Sequence, residues 1–176
     1  AFNDGAAYVS VRKPLLNDFA PYIFKTADYG RTWTKIVAGI RPDAYVHAVR
    51  EDPVRNGMLY AASQHGAYLP LDDVSSWQPL MLNMPDVPVS DLVVRGNELV
   101  ISSHGRGFWV LDNIAPLRQS TAELLAADAH LYAPPVAVRS GAGMAISWWL
   151  KTAPTAVKLD ILDSTGAVLR TFVPDT

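Results

Sequence analysis

The chain has 176 residues, 49% of them hydrophobic, which is enough apolar material for a packed core, so disorder is not the expectation. Its 15 Lys and Arg stand against 17 Asp and Glu with no basic run or stripe, so nothing in the charge favours nucleic acid or an anionic membrane as a partner. Cysteine is absent, which excludes disulfides, thiolate metal sites and a cysteine nucleophile, and no apolar run reaches the roughly 18 residues of a membrane-crossing helix.

Along the chain the signal is β throughout the first two thirds. Residues 7–11 are apolar and rich in β-formers, and after a loop over 12–20 the run 21–26 reads as the next strand. Then come Thr26, Asp28, Gly30, Thr32 and Trp33. This grouping suits a tight turn between antiparallel strands: the Asp carboxylate caps backbone amides, Gly relieves strain and Trp anchors the turn in apolar surroundings. Residues 33–37 continue as a fourth strand, and 45–50 start a new unit. Glu51 and Asp52, cut off by Pro53, read as a solvated turn.

The same order returns twice. Runs 58–63 and 98–103 match 7–11, and runs 66–71 and 107–112 match 21–26, while 90–95 matches 45–50. Turn aspartates follow at Asp28, Asp72 and Asp112, in steps of 44 and 40 residues, the period of four-stranded propeller blades. The second turn keeps Asp72 and Trp77, has Ser76 in place of Thr32, and has lost the glycine. Its fourth strand is 77–80, whereas the third unit has none.

The expected fold is therefore all-β: about two and a half four-stranded blades of a propeller over residues 1–114. Closed propellers have roughly four to eight blades, so the remaining blades, from a preceding segment or another chain, are the expected partner. The chain begins at Ala1 in mid-pattern without Met and shows no signal peptide, which suggests a processed or truncated N-terminus. Residues 115–129 read as a linker, with a short helix over 117–126 and Ser120 or Thr121 as its cap. Beyond it, runs 145–151 and 157–163, then a turn at Ser164, Thr165 and Gly166 into 168–172, read as an incomplete β-sandwich over 130–176.

The full turn pattern, the blade-length spacing and the segment from Ser103 through His104, Gly105, Arg106 and Trp109 to Asp112 resemble bacterial BNR/Asp-box repeat proteins. The resemblance covers about residues 7–118. Such proteins are often labelled glycosyl hydrolases and share propeller repeats with sialidases, xyloglucanases and the sortilin ectodomain. The tail is similar, on one hairpin, to the immunoglobulin-like modules that end such secreted proteins. The resemblance implies an extracytoplasmic location and a scaffold that binds carbohydrate or polypeptide, with glycoside hydrolysis as the alternative. No sialidase-type set of arginines, tyrosine, glutamate and aspartate can be assembled here, and hydrolysis would need a carboxylate pair roughly 5 to 10 Å apart.

In the propellers this chain resembles, the Asp-box lies on the turn from third to fourth strand and ligands meet the opposite face. That places Arg12, Lys13 and Asp18 on an enlarged loop there, with His65, His104 and Arg106 on two short turns. The two histidines either line the mouth of the central channel or belong to a recurring His-Gly turn that the fold needs. Arg106 either grips a ligand carboxylate or clamps one on an adjacent blade. Asp18 as a catalytic acid lacks a visible partner. Tyr22, Tyr68 and Trp109 could stack on sugars or pack between blades. No spacing of His and carboxylates resembles a metal site, and no phosphate-binding or dinucleotide motif is present, so no metal or cofactor is expected.

Overall fold

A computed structural model describes residues 2–71, 76–134 and 145–173. The chain falls into two compact units, Ala1–Ala122 and Glu123–Thr176.

The first unit contains three successive antiparallel meanders. β1 (Ala7–Ser10), β2 (Ile23–Thr26) and β3 (Thr34–Lys35) form the first, in that order. β4 (Val46–Glu51), β5 (Leu59–Ser63), β6 (Gly66–Pro70) and β7 (Trp77–Pro79) form a four-stranded sheet, and β8 (Val89–Arg95), β9 (Glu98–Ser103) and β10 (Phe108–Leu111) the third. The fold is thus all-β, and the up-and-down order is that of propeller blades. Each third-to-fourth pairing repeats: Phe24 faces Lys35 as Tyr68 faces Pro79. The amide of Ile36 donates to Ile23 O, and that of Leu80 donates to Ala67 O. The innermost strand β4 packs against both β1 and β8, so the sheets stack face to face.

Two apolar clusters fill the spaces between sheets. Ile23, Ile40, Val46, Leu59, Tyr68 and Trp77 lie between the first and second, and Tyr60, Leu69, Met84, Leu92, Leu99 and Ile101 between the second and third. Because alternate residues of a strand point to opposite faces, the middle sheet is buried on both sides, and every residue of β5 and β6 is buried. The outer sheets are half-covered: β1 and β10 alternate between exposed and partly buried positions.

The turn from Thr26 to Trp33 forms as its residue types require. Thr26 Oγ1 donates to Asp28 Oδ1 at 2.8 Å and accepts the Gly30 amide at 3.0 Å. Asp28 accepts the Thr32 amide at 2.9 Å and the Thr32 hydroxyl at 2.6 Å. Those bonds from Thr32 and Thr26 hold the Asp28 carboxyl down at about 2, since they favour the charged form. Gly30 takes a left-handed φ of 82°, which a side chain would resist.

The two tryptophans differ. Trp77 is 1% exposed, and its indole Nε1 donates to Ile36 O across the sheet boundary at 2.8 Å. Trp33, expected in apolar surroundings, is 44% exposed and donates to Gly30 O within its own turn. Its partner surface would be a sheet on the other side of β1 to β3, and the described residues supply none. Asp72 lies outside the described residues.

Asp52 corrects a second expectation. It is fully buried, not solvated. Its carboxylate accepts the amides of Val54 and Arg55 at 2.8 and 2.9 Å, the Tyr60 hydroxyl at 3.2 Å and Arg118 Nε at 2.9 Å. Burial raises its pKa, but the bonds from Arg55, Arg118 and Val54 outweigh that and leave it below the ordinary carboxylate value. Arg118 sits in α1 (Ala115–Gln119), and Arg55 Nη1 donates to Leu117 O and Ser120 O, which fastens the helix to the second sheet. The expected single helix is two: Ser120 is extended, and α2 (Ala122–Ala126) starts afresh.

In the second unit β11 (Ala129–Leu131) pairs with β12 (Trp148–Leu150), and β13 (Leu159–Leu162) with β14 (Val168–Phe172). The turn between the last two is held by Asp163 Oδ1, which accepts the amides of Thr165 and Ala167 and the Thr165 hydroxyl, with Gly166 at φ 87°. β11 falls at the boundary that sequence assigned to the linker, and β14 is exposed along its length. No helix among the described residues is long and apolar enough to cross a membrane.

Candidate functional site

The end of the first unit's sheets opposite the Thr26–Trp33 turn gathers most of its unusual side chains. Two kinds of backbone bond assemble this face. The Gln64 amide donates to Tyr45 O, and the His104 amide to Pro88 O, so each second-to-third turn is tied to the residue that enters its own sheet. The Gly66 amide also donates to Val87 O, which brings the approach to the third sheet against the turn of the second.

At the start of β4 the pairing slips: Val46 faces Ser63 while Ala48 faces Ala62, leaving His47 as the extra residue of a β-bulge. β8 slips in the same place, between Val89 and Asp91. The bulge is therefore a recurring device of the fold, and bulges re-aim side chains. Here it presents His47 to Arg12, whose Nη1 lies 3.0 Å from His47 Nδ1, and to Gln64, whose Oε1 is 3.4 Å from Nε2. A guanidinium can only donate, so Nδ1 is the acceptor and the neutral ring carries its proton on Nε2, which donates to Gln64. Burial, with help from the charges of Arg12 and His104, holds the His47 pKa below the ordinary imidazole value, against a smaller upward pull from the Gln64 bond.

Aromatic rings extend the cluster. Tyr45 lies 5.0 Å from the His47 ring, His104 lies 6.0 Å from it, and Phe19 stands 6.1 Å from Tyr45. Arg12 and His104 are exposed, while Tyr45, His47 and Gln64 are half-buried. The result is a patch of aromatic faces, donors and one neutral imidazole drawn from all three sheets.

The other expected residues have different surroundings. Lys13 Nζ lies 2.6 Å from Asp18 and 4.1 Å from the Tyr22 ring centre, and the Tyr22 hydroxyl donates to Asp18 at 2.9 Å. The bonds from Lys13 and Tyr22 keep Asp18 below the usual carboxylate range, which is the wrong direction for a general acid. His65 is bound through Nδ1 to Asp86 at 2.9 Å, and Asp86 also receives Arg41, which grips Asp43 at 2.8 Å. The bond from Arg41 holds the Asp43 carboxyl low as well. Arg106 is exposed on the turn after β9. The structure thus separates His65 from His104 in role: the first belongs to a network of acids and Arg41, the second to the His47 patch.

Sequence reasoning named Arg12 and His104 but missed Tyr45, His47 and Gln64. One signal was present. His47 stands between Val46 and Ala48 on an innermost strand, a polar side chain among residues that are buried.

At the opposite end, a crevice of about 340 Å³ opens between the first and second sheets, lined by Tyr8, Lys25, Glu51 and Asn56 among others. Among the described residues no group of three or more His, Asp or Glu side chains is placed to hold a metal ion.

No family model matches the chain, and no curated protein matches it. Among solved structures it is similar to "YCF48 bound to D1 peptide" at 13% identity and a TM-score of 0.33. That match covers 77% of this chain and 55% of the other, so the chain spans about half the length of the protein it matches. The blade reading accordingly rests on the strand pairing of this chain itself.

Proposed function

We propose that the first unit is a ligand-binding module of an extracytoplasmic Asp-box propeller, a scaffold that takes carbohydrate or polypeptide on the His47 face. One observation carries this reading: Arg12, Tyr45, His47, Gln64 and His104 converge, and the carboxylates near them are engaged by Lys13, Arg41 or Arg50. Arginine and amide donors with flat ring faces suit ligands rich in hydroxyl or carbonyl acceptors. Hydrolysis would instead need a carboxyl with a raised pKa beside a second, ionised one.

Binding of the chain to glycan and peptide arrays tests the reading. Arg12→Ala and His47→Ala should each weaken the captured ligand at least tenfold without lowering the melting temperature by more than a few degrees. Arrays that bind the wild type and both variants equally would remove this face from consideration. Glycoside hydrolysis, the alternative, has one pair of neighbouring carboxylates to draw on, Asp43 and Asp86, but Arg41 engages both and holds Asp43 low, against the raised pKa a general acid needs. It predicts turnover of chromogenic glycosides that Asp86→Asn abolishes.

A further inference from the structure

The crevice at the end of the sheets that carries the Thr26–Trp33 turn is built by strand alternation on two facing walls. On β2, Ile23 and Lys25 point to the same side, and Ile23 is buried in the cluster between the first and second sheets. On β4, Val49 and Glu51 share the side that faces the first sheet, with Val49 in the same cluster. Two residues further along each strand, the apolar filling gives way to a cation on one wall and a carboxylate on the other. The gap between them is the crevice of about 340 Å³, toward the lower end of the roughly 300 to 1,000 Å³ of small-molecule sites.

Each wall is fixed by its own neighbours. Tyr8 stands opposite Lys25 in the β1–β2 register, packs against the same apolar cluster, and has the Lys25 Nζ 5.8 Å from its ring centre. Burial, and then the charge of Glu51, raise the Tyr8 pKa, so its hydroxyl stays protonated and feels the carboxylate across the gap. Glu51 Oε1 accepts the Gly57 amide at 3.1 Å, which seats that carboxylate on the turn after β4. Tyr8, Lys25 and Glu51 are half-buried, and Asn3 and Asn56 stand exposed at the lip. Among the described residues no carboxylate makes a salt bridge with Lys25, in contrast to Lys13 with Asp18 and Lys158 with Asp160.

The lining selects by charge. A simple anion drawn to Lys25 meets Glu51, and a simple cation drawn to Glu51 meets Lys25. A neutral sugar leaves both ions without a counter-charge in a half-buried cleft. A ligand with one carboxylate and one ammonium satisfies both walls. We propose that the crevice binds a small zwitterion of the free amino acid type, its carboxylate against Lys25 and its ammonium against Glu51, with Asn3 and Asn56 adding amide groups at the lip. The site shares no residue with the His47 face and lies at the other end of the sheets, so ligands of the two do not compete.

The probe is L-alanine, titrated against the isotope-labelled full chain and read by amide NMR shifts. Saturable shifts are expected at Ala27 and Gly57, which line the crevice, and none at Gln64 or His104. Propionate, which lacks the ammonium, and ethylamine, which lacks the carboxylate, should each bind at least tenfold more weakly. Lys25→Met and Glu51→Gln should each cost at least tenfold in affinity with unchanged melting curves. Methionine keeps an apolar stem beside Tyr8, and glutamine keeps an oxygen for the Gly57 amide. No saturation up to about 10 mM L-alanine, equal binding of either analogue, or shifts confined to Gln64 and His104 would overturn the proposal. So would a Lys25→Met chain that binds L-alanine as the wild type does, or preferential uptake of D-glucose, which assigns the crevice to a neutral sugar.

Discussion

Trp33 and Trp77 hold the same place in successive repeats, and their environments set their worth. Trp77 is sealed between two sheets with its indole bonded across the boundary, so Trp77→Ala removes apolar burial and leaves a cavity. A loss of about 3 to 5 kcal/mol is expected. Trp33 is almost half exposed and bonds only to its own turn, so Trp33→Ala should cost under about 1 kcal/mol. Urea denaturation of both variants checks the contrast, and equal losses would mean that Trp33 is covered in solution. Gly39 sits against the same boundary at φ 92°, and a Cβ there would collide with the backbone of Trp77, so Gly39→Ala should destabilise through both strain and clash.

Among the elements, α1 matters more than its five residues suggest. Its Arg118 enters a fully buried carboxylate, Asp52, that also receives two amides and the Tyr60 hydroxyl. Asp52→Ala would leave Arg118 without its carboxylate at a side-chain exposure of 10%, with only the Nη1 bond to Asn97 Oδ1 remaining. The expected loss is about 3 to 5 kcal/mol, and adding Arg118→Met to an Asp52→Leu chain should recover only part of it, because the Tyr60 hydroxyl and the amides of Val54 and Arg55 still lack their acceptor. Chemical denaturation of the single and double variants measures both. The strands themselves were legible from their runs of β-formers. The Asp52 bond network was not, because an acidic pair before proline looks the same whether a distant arginine covers it or water does. The second helix start escaped for a related reason: Ser120 turns extended where its hydroxyl donates to Pro116 O, a local choice that helix propensity does not encode.

For the molecule as a whole, pH dependence has an acid limb from carboxylates held low, Asp28 and Asp52 together with Asp18, Asp43, Asp160 and Asp163, and a second limb from His47. Asp28 and Asp52 have folded pKa values below the ordinary carboxylate value, so each contributes stability that is complete above it and lost as pH falls through the folded value, about 2 for Asp28. His47 is also depressed, because burial favours its neutral form, so its contribution is complete above about 6.5 and lost as pH falls through the folded value. The urea midpoint should therefore hold steady above about pH 7, dip slightly below about 6.5 and fall steeply below about 4. His47→Gln should abolish the first step alone. A midpoint that stays flat down to about pH 3 would contradict both assignments.

The sequence by itself determined the repeat: its period, its strand order, the turn built on Thr26, Asp28 and Gly30, and, among the described residues, the lack of a fourth strand beside β10. These depend on local chemistry, on which residues cap, bend or alternate within a few positions of one another. Tertiary structure decided which repeated residues do the same work. His65 and His104 follow equivalent strands, yet one joins Asp86 and Arg41 while the other meets His47, and Trp77 finds a sheet to bury against where Trp33 does not. Contacts between sheets join residues about 40 positions apart, and a periodic pattern specifies each sheet's own face without specifying what stacks upon it.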